Sequence, residues 1–303
     1  MTLTVTPDRP ATYSKSANFI QVRITATNCT ASPKAASSSL QMVEYNTENT
    51  WTPNTYYSFD AGSTQTSRKT NLTTPGATYS YTPANYKLAS CTANYCSAKI
   101  NSASGSAVST STYYASGTKI YWVADSNHSF GGSSAADTRS GTTTITAGGS
   151  PSMTPGYTKV TVNSTNCTAN KSTGNLVGNG NDGVTQEYII WTANNYYSFS
   201  EGTTRSSSSK SPVSAGTLTY GASAPYMYVD VTNGTGCTAV HNDGYWTSPM
   251  RFNANANYAF DENGTSTKDV TFTAGGTATA SCTHLKCSYI SSTNCTADKS
   301  VST

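Results

Sequence analysis

One stretch recurs four times and limits what the chain can fold into. Its fullest copy is Trp191-Thr-Ala-Asn-Asn-Tyr-Tyr-Ser-Phe199, which runs into Ser-Glu-Gly202. Trp51-Thr-Pro-Asn-Thr-Tyr-Tyr-Ser-Phe59 runs into Asp-Ala-Gly62, and Trp122-Val-Ala-Asp-Ser-Asn-His-Ser-Phe130 into Gly-Gly132. Phe252-Asn-Ala-Asn-Ala-Asn-Tyr-Ala-Phe260 precedes Asp-Glu-Asn-Gly264. Counting back from the terminal Phe, position −8 is a large aromatic, −6 is Ala or Pro, and −2 is Tyr or His. The terminal Phe residues are spaced by 71, 69 and 61 residues. Self-similarity at such a period marks an array of small units, each built from one supersecondary motif.

A second motif keeps the same phase. Thr27-Asn-Cys29-Thr-Ala recurs as Asn94-Tyr-Cys96-Ser-Ala, Thr165-Asn-Cys167-Thr-Ala, Thr235-Gly-Cys237-Thr-Ala and Thr293-Asn-Cys295-Thr-Ala. The repeat divides the 303 residues into about four units of roughly 60–70 residues, inside the usual range for a small domain. Proline cannot donate to a sheet ladder, so Pro83-Ala-Asn-Tyr86, Pro155-Gly-Tyr157 and Pro225-Tyr226 read as joints. The resulting frame is 1–85, 86–156, 157–225 and 226–303, with an extra strand in the first and last units. A permuted frame stays open, because the chain begins with a Thr-alternating strand, Thr2-Leu-Thr-Val-Thr6, and ends with a Cys strand.

Only 11% of the residues are charged and 35% are hydrophobic, while nearly one in three is Ser or Thr. Scattered apolar residues in such a chain would leave it disordered. Here they cluster in short β-branched and aromatic runs such as Phe19-Ile-Gln-Val-Arg-Ile24, with no sustained helical period. The sequence therefore predicts an all-β chain with polar outer faces. The stretches between each Cys strand and its aromatic strand, such as residues 170–182, read as loops. Thr142-Thr-Thr-Ile-Thr146 and Val270-Thr-Phe-Thr273 read as alternating strands leading into Ala-Gly-Gly turns. The aromatic stretch itself allows two readings. A continuous strand would turn Trp191, Ala193, Tyr197 and Phe199 inward together. A break at Asn194-Asn195 would make a corner, since Asn tolerates left-handed backbone.

Several function classes are disfavoured. A net charge of +3 with no dense Lys/Arg cluster predicts no nucleic-acid binding. No apolar run is long enough to span a bilayer as a helix, which predicts no membrane insertion. Met1-Thr-Leu-Thr-Val is no signal peptide, so the expectation is a chain outside the usual secretion route or part of a longer protein. The carboxylates and three histidines form no catalytic constellation, and no nucleophile elbow, phosphate loop or zinc-protease motif occurs. The expectation is no enzyme activity, no catalytic residue and no cofactor. The acidic Gly-rich stretches near 179–183 and 261–264 read as ordinary turns rather than calcium loops. Cys282-Thr-His284-Leu-Lys-Cys287 lacks the second ligand pair that a zinc site uses, so no metal is expected.

The five equivalent cysteines read as small buried hydrophobes, with disulfides to the extra cysteines, such as Cys91 with Cys29 or Cys282 with Cys237, as the alternative. The core signature is Trp51, Tyr57, Phe59, Trp122, Phe130, Trp191, Tyr197, Phe199, Phe252, Tyr258 and Phe260. Tyr56 and Tyr196 fall one residue out of that phase. They are the candidates for stacking on sugar rings, whose apolar faces suit aromatic surfaces.

The strands running into Asn-Cys-Thr-Ala, with Arg139-Ser-Gly-Thr-Thr-Thr-Ile-Thr-Ala-Gly-Gly149, resemble the BACON domains of Bacteroidetes proteins. The Tyr-x-Phe-x-x-Gly part is similar to divergent internalin-type B repeats. More broadly, the pattern looks like the tandem β-sandwich repeats of bacterial surface proteins and phage fibres. The resemblance implies a linear array of about four small antiparallel β-sandwich domains of immunoglobulin-like type, with no transferable catalytic residue. The expected role is structural or adhesive, in a virion fibre or surface filament, with self-association or other structural subunits as partners. The localisation implied is the virion or the extracellular or cell surface. The rival expectation is a glycan-binding module array meeting host-cell or bacterial surface glycans.

Overall fold

The computed structural model describes residues 18–132 and 138–286, together with 290, 291 and 293. The strands expected at Thr2–Thr6 and around Cys295 lie outside the described residues. The protein is all-β, with no helix among the described residues. It divides into two compact units, Met1–Ala124 with Thr138–Thr154, and Asp125–Asp137 with Pro155–Thr303.

The first repeat shows the plan. Its strands are β1 (Phe19–Ala26), β2 (Cys29–Ser32), β3 (Ser37–Glu44), β4 (Thr47–Pro53), β5 (Tyr57–Ser58), β6 (Arg68–Leu72) and β7 (Thr78–Tyr81). β4 lies between β2 and β6 in an antiparallel sheet, with Cys29 opposite Pro53 and Trp51 opposite both Ala31 and Arg68. β1 lies between β3 and β7 in a second sheet, antiparallel to β3 and parallel to β7. Both sheets feed one core. Alternation along β1 buries Ile20, Val22 and Ile24, and these cluster with Val43, Trp51, Leu72 and Cys29.

The sheet built on the aromatic strand recurs three more times. Cys96–Ile100, Lys119–Ala124 and Thr138–Thr144 form it in the second repeat, and Cys167–Ala169, Tyr188–Ala193 and Ser208–Pro212 in the third. Cys237–Ala239, Met250–Ala254 and Thr267–Val270 form it in the fourth. Parallel pairing of an early strand with a late one recurs as well. Thr92–Ala93 pairs with Ser152–Met153, Thr161–Thr165 with Thr219–Ser223, and Tyr226–Asn233 with Gly276–Ala280. Separate cores form around Trp191 in the third repeat and Phe252 in the fourth.

Two local expectations are corrected. The stretches between Cys strand and aromatic strand are not only loops, because each carries a further strand. These are β3 in the first repeat, then Tyr114–Ala115, Leu176–Gly178 and Gly244–Trp246. The short apolar words in them, such as Leu-Val-Gly, find a partner in the first strand of the same repeat. The Thr-rich strands also lie earlier than their alternation suggests, at Thr138–Thr144 and Thr267–Val270. The residues that follow them bend into the Ala-Gly-Gly turn, where Gly149 and Gly276 donate to the carbonyls of Thr146 and Thr273.

The aromatic anchors at −8 are essentially fully buried: Trp51, Trp122, Trp191 and Phe252. Their indole groups are not treated alike. Trp51 Nε1 donates to the Thr25 carbonyl and Trp191 Nε1 to the Asn163 carbonyl, each at 3.2 Å. Both acceptors stand four residues before the repeat cysteine. In the second repeat the matching strand is only the two residues Thr92–Ala93, and Trp122 Nε1 has no hydrogen-bond partner among the described residues. A buried donor without an acceptor forfeits about 1–3 kcal/mol. Trp191→Phe should therefore cost about 1–2 kcal/mol more than Trp122→Phe, since only the former breaks a bond and strands a carbonyl. Hydrogen exchange of core amides within each repeat measures the two costs separately, and equal costs would contradict the assignment.

Candidate functional site

The chemistry of this chain concentrates where the aromatic stretch turns. The stretch is broken, not continuous: strand ends at −6, a turn follows over −5 to −3, and a two-residue strand resumes at −2. The same hydrogen bond closes all four turns, from the −2 amide to the −5 carbonyl. The pairs are Tyr57 to Asn54 (3.0 Å), His128 to Asp125 (2.9 Å), Tyr197 to Asn194 (3.0 Å) and Tyr258 to Asn255 (3.1 Å). In three repeats the −5 amide also donates to the carbonyl of the residue before the cysteine: Asn28, Asn166 and Gly236. That residue is left-handed in every repeat, at φ 57° for Asn28, 55° for Tyr95, 56° for Asn166 and 69° for Gly236. The Asn-Cys and Gly-Cys words are thus explained by the conformation they must take.

Beyond the corner, each two-residue strand pairs with the first strand of the following repeat. Tyr57 and Ser58 face Tyr86 and Asn85, and His128 and Ser129 face Thr158 and Tyr157. Tyr197 and Ser198 face Met227 and Tyr226, and Tyr258 and Ala259 face Leu285 and His284. The −3 carbonyl accepts from the next residue of the partner in all four cases. The donors are Lys87 (2.9 Å), Lys159 (2.9 Å), Tyr228 (2.7 Å) and Lys286 (2.7 Å). Residues 284–286 therefore stand to the fourth repeat as Asn85, Tyr86 and Lys87 stand to the first.

A buried serine at −1 organises the following turn. Ser58 Oγ accepts from the Thr66 amide at 3.0 Å, and Ser198 Oγ from the Ser206 amide at 2.9 Å. The fourth repeat has Ala259 there, and the Asp261 carboxylate accepts from the Thr265 and Asn263 amides instead. Hydrogen bonds from the Thr265 side chain and amide hold that carboxyl below the usual aspartate range. The corner carbonyls are gathered from outside. Gln65 Nε2 reaches those of Pro53, Asn54 and Tyr57, and Arg205 those of Ala193, Asn194 and Tyr197.

Tyr56 and Tyr196 occupy the −3 position, in left-handed backbone at φ 69° and 63°. Tyrosine there is strained by about 1–3 kcal/mol unless its surroundings hold it. Each ring lies against a turn glycine of the following repeat, Gly148 for Tyr56 and Gly275 for Tyr196. Tyr196 nonetheless stays 57% exposed. The terminal Phe59, Phe199 and Phe260 are half-buried against their cores, as are Tyr197 and Tyr258. Phe130 is half-buried too. Tyr57 meets Tyr86 edge-on at 5.7 Å.

His128 is buried, and its Nε2 lies 2.8 Å from the Ala215 carbonyl, so that nitrogen carries the proton and donates. The repeat cysteines do one job four times. Cys29, Cys96, Cys167 and Cys237 direct their thiols at the carbonyls of Tyr81, Met153, Ala222 and Ala280 in the parallel strand of the same repeat. Cys29, Cys91, Cys167, Cys237 and Cys282 are free thiols. Among the described residues no three metal-ligating side chains converge; Cys287 lies outside them.

One groove is chemically distinct. The His241 ring stacks on Trp246 at 3.9 Å and 9°. Beside them, Arg251 holds Asp269 through two bonds of 2.8 and 3.0 Å, keeping that carboxyl below its usual range. Glu201 and Thr247 complete the rim of a space of about 570 Å³. Only the order Gly-Tyr-Trp after His241-Asn-Asp hints at it in the sequence, and Arg251 and Asp269 come from neighbouring strands. No protein-family model matches the chain, and no curated protein matches it.

The tyrosine–glycine contact carries a direct test. A Cβ at Gly275 would sit 3.0 Å from the Tyr196 ring, whereas at Gly264 it would meet only the end of Lys286 at 3.9 Å. The two glycines have similar φ, 74° and 82°. Gly275→Ala should weaken the joint by about 1–2 kcal/mol more than Gly264→Ala weakens its turn. Exchange of the Tyr228 amide reads the effect, and equal protection in both variants would contradict it.

Proposed function

We propose that this protein is a non-enzymatic structural array, part of a virion fibre or surface filament, made of four small immunoglobulin-like β-sandwich units joined head to tail. The observation that carries the reading is the joint: one two-residue ladder and one −3 carbonyl bond, repeated four times in the same register. A joint made of backbone bonds tolerates side-chain drift, which suits a serial connector. The shared core of β1 and β4 supports the sandwich assignment. The fourth joint, which engages residues 284–286, supports continuation into a further repeat or a structural partner. Each unit buries little apolar surface by itself, so its neighbours add to its stability.

Small-angle scattering of the purified chain tests this. The expected particle is elongated, and deleting the fourth repeat should shorten its longest dimension by about a quarter, as a quasi-one-dimensional array requires. A compact particle whose length barely changes would overturn the proposal.

A second reading, surface glycan binding, is favoured by the His241–Trp246 groove, where an aromatic stack stands beside carboxylates and a guanidinium. Rings of that kind cover the apolar faces of sugars while charged planar groups take the hydroxyls. Trp246→Ala should abolish retention on a panel of bacterial and host-type glycans, and Tyr196→Ala should weaken it. Absence of retention by the unaltered chain would remove this reading.

A further inference from the structure

The fourth repeat departs from the others at one place in its core. In every repeat the cysteine thiol points at a carbonyl of the last strand, and the residue two positions beyond that carbonyl follows the strand end. That residue is Pro83 in the first repeat, Pro155 in the second and Ala224 in the third. In the fourth it is Cys282. The Cys282 amide donates to the Thr235 carbonyl at 2.8 Å, as the Ala224 amide does to Thr165 at 3.0 Å. This bond pins position 282 beside the segment leading into Cys237. Both cysteines are buried in the same cluster, at 2% exposure for Cys237 and 8% for Cys282.

We propose that Cys237 and Cys282 form a disulfide when the protein meets a small-molecule disulfide oxidant, stapling the Cys strand of the fourth repeat to the end of its last strand. Cys237 Sγ lies 2.8 Å from the Ala280 carbonyl, two residues before Cys282, and burial raises the Cys282 thiol above its ordinary range. Neither buried thiol reacts readily with large reagents, while their place in one core cluster favours closure once one is activated. Cys282, the more exposed, loses its proton and attacks one sulfur of oxidised glutathione, expelling one glutathione thiolate, which takes up that proton. The Cys237 thiolate then attacks Cys282 Sγ in the mixed disulfide, breaking that bond and releasing the second glutathione thiolate, again protonated. The protein loses two electrons and two protons, and one oxidised glutathione becomes two reduced ones. The cross-link would constrain the unfolded chain between residues 237 and 282. It would also secure the strand end immediately before the His284–Leu285 ladder.

The full chain, incubated with oxidised glutathione and digested without reductant, provides the test. The expected result is a peptide joining Cys237 to Cys282, with the melting of the fourth repeat raised by at least about 5 °C and reversed by dithiothreitol. Cys282→Ala, which places the third repeat's natural residue at this position, should fold, show no such peptide and gain no stability from the oxidant. Both thiols remaining free after prolonged oxidation, or either cysteine recovered mainly in a peptide with Cys287 or another cysteine, would overturn the proposal.

Discussion

Every repeat turns its aromatic strand through the same corner, and the backbone bonds that hold the corner set what surrounds it. One bond closes the turn from −2 to −5, and in three repeats another ties −5 to the left-handed residue before the cysteine. The turn re-aims the chain so that the −8 aromatic stays in its own core while the −2 and −1 residues leave to pair with the following repeat. The side chains of both halves still pack on one core, as Trp191, Tyr197 and Phe199 do, but the corner moves the backbone pairing of the second half to the following repeat. The buried serine at −1, or Asp261 in the fourth repeat, then satisfies the amides that the turn would otherwise leave unpaired.

The cores follow from this division. The anchors Trp51, Trp122, Trp191 and Phe252 are sealed, while the terminal Phe residues lie half-buried beyond the corner. The cysteines behave as small core side chains that also donate to a carbonyl of the parallel strand, which explains why their position is held in every repeat. Parallel pairing of early and late strands needs a long crossover, and the aromatic sheet of each repeat supplies it.

Much of this was legible in the chain. The period, the phase of cysteine and Phe, the all-β character and the burial of the −8 aromatics follow from residue type and spacing. The corner was legible as an alternative, since paired Asn signals left-handed backbone, but Tyr56 and Tyr196 at the left-handed −3 position were not. Their rings are accounted for only by Gly148 and Gly275, some 80–90 residues further along the chain. The strands hidden between Cys strand and aromatic strand were missed for a related reason: short polar words become strands only because a partner edge is waiting.

The His241–Trp246 groove shows the same limit from the side of chemistry. Its aromatic pair is local in sequence, but the Arg251–Asp269 ion pair reaches it through strand pairing. By itself the sequence determined a repeating β chain and its aromatic anchors, because periodic burial is a property of neighbours along the chain. Only the tertiary structure decided where each aromatic stretch bends, which repeat receives its second half, and that Cys282 shares a buried core with Cys237, a pairing the sequence had left open beside others. Those outcomes rest on hydrogen bonds and contacts between residues distant in sequence, and no local pattern encodes them.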